Sequence, residues 1–70
     1  MGFIKVIANQ CDQQGHTDPL QSPTELYLNI DLIGAFKGNT ILLKDGEIIN
    51  LGGIWYKSFR LAQGVKIPLL

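Results

Sequence analysis

A mainly β fold, built on one small antiparallel sheet, is what this sequence predicts, and three observations carry the expectation. Residues 40–51, TILLKDGEIINL, set two apolar runs around Asp45-Gly46, a dipeptide that favours a two-residue hairpin loop. Residues 25–32, ELYLNIDL, alternate strictly, with Leu26, Leu28, Ile30 and Leu32 on one side and Tyr27, Asn29 and Asp31 on the other. Residues 3–8, FIKVIA, are rich in β-formers and read as a first strand.

Between the first two strands the composition changes. Residues 9–24, NQCDQQGHTDPLQSPT, are polar and carry Gly15, Pro19 and Pro23, which marks a long loop. Asn29 and Asp31 are poor strand residues, so the chain is expected to bend there. Ile33 and Gly34 break the alternation, as a bulge or a barrel corner would. The strand resumes at Ala35, and Gly38-Asn39 is a second two-residue turn, which sets Phe36 opposite Ile41.

A two-residue loop at Asp45-Gly46 would pair Lys44 with Glu47, Leu43 with Ile48, Leu42 with Ile49 and Ile41 with Asn50. Opposed residues share a face. One face would then hold Ile41, Leu43 and Ile48, and the other Leu42, Ile49 and Leu51. Both faces are apolar, which calls for a closed barrel, a sandwich or a subunit interface. Gly52-Gly53 follows. Residues 54–63, IWYKSFRLAQ, read two ways. As a short helix or irregular turn, the preferred reading, Trp55, Phe59 and Ala62 fall near one helical face and Gly64 suits the position after a helix end. As a strand, Ile54, Tyr56 and the aromatic richness fit as well. Residues 65–70, VKIPLL, read as a last strand, at an edge because Pro68 cannot donate to a ladder. The order of strand, long loop, hairpins, helical turn and last strand also fits an SH3-like five-stranded barrel.

Seventy residues make one small domain. A chain of this size buries only about 60% of its unfolded surface and commonly needs a disulfide, a metal or a partner subunit. Cys11 is the only cysteine, and Cys11 and His16 are too few for a usual zinc site. Hydrophobic content of 46% is high for such a size, so a homo-oligomer is expected. Six basic residues balance six acidic ones, which argues against nucleic acid and against a membrane surface as partners. No signal-like or membrane-spanning run is visible, and a lone cysteine fits a reducing cytosol.

Few residues suggest chemistry. Cys11, Asp12, His16 and Asp18 lie close in sequence, but their spacing matches no metal motif and a polar loop offers no rigid catalytic frame. No catalytic set and no cofactor are expected. Neither GxGxxG nor GxxxxGK[ST] occurs, and Gly52-Gly53 reads as a plain turn rather than an anion-binding helix start. The segment that interleaves rings and cations stands apart. Trp55, Tyr56, Lys57 and Arg60 suit an interface hot spot or base stacking with phosphate contact, with at least two of the rings Trp55, Tyr56 and Phe59 expected to serve the core.

Residues 28–51, with LNIDLIGAF followed by NTILLKDGEIINL, resemble the flagellar FlbD-type small proteins, and secondly the strand-turn-strand pattern of LytTR-type DNA-binding domains. The resemblance implies a small β-rich fold and no catalytic residues. The long loop at 9–24 and the VKIPLL tail depart from the FlbD-type pattern. Together these features lead to the expectation of a non-enzymatic interaction module that self-associates and binds a protein partner. The alternative is an oligomeric small-molecule or nucleotide binder, its pocket at a subunit interface.

Overall fold

The computed structural model describes residues 2–66. Six strands run in chain order: β1 Phe3–Cys11, β2 Thr24–Asn29, β3 Ile33–Lys37, β4 Thr40–Leu43, β5 Ile48–Leu51 and β6 Ile54–Leu61. They form one antiparallel sheet in the order β2-β1-β6-β4-β3, and β5 lies along the first half of β6. The mainly β, antiparallel architecture expected from the pattern is the one observed, with six strands.

The topology forces the sheet to curl. β2 and β3 are its outermost strands, yet only the 3-10 turn Ile30–Leu32 joins them. Edges of a flat five-strand sheet lie roughly 19 Å apart. The backbone from Asn29 to Ile33 reaches about 14 Å fully extended, and 3-10 winding at about 2 Å per residue shortens it. Curling closes the gap and gathers one face around a core. Ile4, Val6 and Ala8 of β1, Leu28 of β2, Ile41 of β4 and Phe59 and Leu61 of β6 are buried there. Leu26, Ile33, Phe36, Leu43, Ile49 and Tyr56 pack against them.

Local signals hold where the chain pairs with its neighbour. The β3–β4 hairpin turns at Gly38-Asn39, with Lys37 opposite Thr40 and Phe36 opposite Ile41. Gly38 alone has positive φ (61°), the mark of a turn with glycine first. The register shifts between Ile33 and Ala35, placing the expected bulge at Gly34. The bend at Asn29 is the start of the 3-10 turn, where the Asn29 side chain accepts from the Asp31 amide at 2.9 Å.

Three expectations are corrected. β4 and β5 do not form a hairpin around Asp45-Gly46; both lie against β6, β4 opposite Arg60 and β5 opposite 54–57. A two-residue turn of the Asp-Gly kind needs positive φ at both central residues, and Asp45 lacks it. Gly52 (63°) and Gly53 (90°) both have it, and they make the β5–β6 turn, with Asn50 Oδ1 accepting from the Gly53 amide at 3.1 Å. Inward faces change accordingly: Ile41, Leu43 and Ile49 pack on the core, and Leu42 stays exposed.

The second correction concerns residues 54–63, which form a strand through Leu61 rather than a helix. Ser58 is its cause. It sits at φ 58°, and across from it the β1–β6 register shifts between Ile7 and Asn9. One extra residue in β6 breaks the period of two, so inward Tyr56 and Phe59 stand three apart, a helical interval, while Trp55 of the expected helical face lies outward. Thirdly, β1 runs on through Cys11, so the excursion between β1 and β2 is shorter than expected. Val65 and Lys66 carry no strand, and the remainder of the expected strand at 65–70 lies outside the described residues.

Candidate functional site

The Ser58 bulge sorts the β6 side chains. Before it, Tyr56 points to the core while Trp55 and Lys57 lie on the outer face; after it, Phe59 and Leu61 point inward and Arg60 outward. Without the extra residue, Lys57 and Arg60 would stand on opposite faces. The register continues this order across neighbouring strands. Trp55 lies between Cys11 and Asn50, Lys57 between Asn9 and Ile48, and Arg60 between Ile7 and Thr40. Of the four residues singled out from sequence, the fold brings Trp55, Lys57 and Arg60 together and turns Tyr56 to the other side.

Both cations are held by neutral oxygens. Lys57 Nζ donates to the Gly15 carbonyl at 3.0 Å, and Arg60 Nη1 donates to Asn9 Oδ1 at 3.0 Å and to the Ser58 carbonyl at 2.8 Å. Among the described residues the ion pairs are Lys5–Glu25 and His16–Asp12, so neither Lys57 nor Arg60 meets a carboxylate. Each is therefore fixed in position with its charge uncompensated, which leaves it free to attract an anion. Beside this strip, where β6 passes from β5 to β4, lies a cleft of about 400 Å³ lined by Thr40, Leu43, Glu47, Lys57, Ser58 and Phe59.

The polar loop has a structural use for Asp12. Asp12 Oδ1 accepts from the amides of Gln14 and His16, each at 2.9 Å, and the Asp12 amide donates to the His16 carbonyl at 3.0 Å. These bonds close a tight turn next to the Cys11–Thr17 bridge. They hold the Asp12 carboxyl below the usual carboxylate range, the His16 amide contributing most. Burial pushes the Cys11 thiol up, with Lys57 partly offsetting it, which is the opposite of what a nucleophilic cysteine needs. Cys11, Asp12, His16 and Asp18 border a common 220 Å³ recess, but no group of three or more such side chains among the described residues is placed to hold a metal.

Sequence reasoning missed two rings on the same outer face. Phe3 is 70% exposed and Tyr27 66% exposed, with Lys5 directly opposite Tyr27. Tyr27 fell on the polar side of the alternating strand, which was the available signal. No helix among the described residues is long and apolar enough to cross a membrane. The fold and site define a small curled antiparallel sheet with a cationic and aromatic outer face. No family model, curated protein or solved structure matches the chain.

Proposed function

We propose that the chain is a non-enzymatic interaction module that engages a macromolecular partner through the outer face of β2, β1 and β6. The observation that carries this reading is the row of Trp55, Lys57 and Arg60, aligned by the bulge, with both cations fixed by hydrogen bonds to neutral acceptors. Preset aromatic and cationic side chains on a rigid sheet lose little freedom on binding, which favours recognition. Asp12 spends its carboxylate on the turn, and Cys11 is biased toward the thiol; both weigh against the loop as a reaction centre. Self-association, the second part of the reading, is supported by Leu51 and Ile54. They oppose one another at the β5–β6 turn, 37% and 40% exposed, beyond the cover of the core.

Photo-crosslinking tests the surface. A benzophenone side chain placed at Tyr27 is expected to yield high-mass adducts in cells expressing the chain, and one placed at Asp45 is not. Adducts from Asp45 alone, or from neither position, would remove the reading. Native mass spectrometry tests association: an oligomer is expected, converted to monomer by Ile54→Asp. A monomer in the unaltered chain would remove that part.

A further inference from the structure

The balanced charge of this chain conceals a sorted distribution. Four of its six cations, Lys5, Lys37, Lys57 and Arg60, stand on strands, whereas Glu25 is the one strand carboxylate of six. The remaining carboxylates occupy connections: Asp12 and Asp18 between β1 and β2, Asp31 in the 3-10 turn, Asp45 and Glu47 between β4 and β5. All four strand cations belong to the outer face. Lys5 lies between buried Ile4 and Val6, and Arg60 between buried Phe59 and Leu61. Lys37 and Lys57 follow core-packed Phe36 and Tyr56. Glu25 approaches Lys5 at 3.7 Å, a long and exposed pair that a phosphate can displace, and leaves the other three cations without a carboxylate on that face.

Rings share the face with these charges. Phe3 and Tyr27 are the exposed pair, on adjacent strands, as diagonal neighbours roughly 7–8 Å apart. Lys5 stands directly opposite Tyr27 and two residues along β1 from Phe3, and Arg60 lies one strand further on, opposite Ile7. Exposed rings with cations beside them on an antiparallel sheet match a strand whose bases are free to stack and whose backbone is anionic. A duplex hides its base faces. An acidic protein segment uses the cations and gives Phe3 and Tyr27 no comparable role.

We infer that the outer face binds single-stranded nucleic acid, with bases stacked on Phe3 and Tyr27 and phosphates at Lys5, Lys57 and Arg60. This rests on the interaction-module reading of the same face. The probes are fluorescein-labelled thymidine and uridine homopolymers, the matching duplex, and polyglutamate, compared by fluorescence anisotropy with the full chain. The homopolymers are expected to bind more tightly than duplex or polyglutamate, with a log–log salt slope of roughly −2 for three phosphate contacts. Tyr27→Ala is expected to weaken homopolymer binding by about five- to a hundredfold, and Tyr27→Phe to retain it. Circular dichroism and the urea midpoint control for folding, which a side chain this exposed should leave unchanged. Homopolymer binding indifferent to Tyr27→Ala, polyglutamate bound as tightly, or no homopolymer binding at low salt each overturns the inference. Protease-sensitive, nuclease-resistant adducts at position 27 would then show that the module reading survives with a protein partner.

Discussion

Ser58 holds a left-handed conformation that L residues adopt at a cost of about 1–2 kcal/mol, and it is the one described non-glycine residue to do so. Glycine relieves that cost but adds unfolded-state entropy, so Ser58→Gly is expected to stabilise the protein by about 0.5–1 kcal/mol. A β-branched residue adds crowding, and Ser58→Val should destabilise it by more than about 1 kcal/mol. Urea unfolding midpoints check both. Asp12 makes a second residue-scale prediction. Its carboxyl titrates below the usual range because the folded turn donates amides to the charged form, chiefly that of His16. Folding is therefore favoured by this group at pH above the ordinary aspartate value, about 4, and the contribution disappears as pH falls through the lower folded value. Amide exchange should show the Gln14 and His16 protection factors constant down to about pH 4 and falling below it, and Asp12→Ala should abolish them at every pH.

At the scale of elements, the β5–β6 turn depends on positive φ at both Gly52 and Gly53. Gly52→Asn should be nearly neutral, since asparagine suits such turns, while Gly52→Val should cost about 1–2 kcal/mol by thermal or urea unfolding. The same turn shows what a linear pattern can and cannot carry. The Gly38-Asn39 hairpin and the Gly34 bulge were legible because each is settled by residues a few positions apart. The partner of β5 was not legible: Asp45-Gly46 and Gly52-Gly53 both offered a turn, and the choice fell to β6, whose edge takes up β4 and β5 in succession. β6 itself was misread because its bulge spaces Tyr56, Phe59 and Leu61 unevenly. The cluster of Trp55, Lys57 and Arg60 could be named from sequence, but separating Tyr56 from it required knowing where the extra residue sits. Phe3 and Tyr27 gave no sign of sharing a face, since that depends on the β1–β2 register.

The whole molecule depends on few buried side chains. Phe59 is 2% exposed and lies in the same core as Val6, Leu28 and Ile41. Truncating a buried phenylalanine costs about 3–5 kcal/mol, against the roughly 5 kcal/mol at the low end of domain stabilities. Phe59→Ala should therefore leave the protein largely unfolded at ambient temperature by circular dichroism, whereas Leu42→Thr, at a 47% exposed position, should change the midpoint little. The central pairing of the sheet, β1 against β6, joins the first described strand to the last. During synthesis β1 and β2 emerge early, but Val6 and Ala8 lack the covering strand that carries Phe59 and Leu61 until translation has passed residue 61. Until β6 is made, the β1 edge that pairs with it stays open. Folding then proceeds at the millisecond-to-second pace of proteins dominated by distant contacts, and a product released before β6 is made has no partial fold to fall back on.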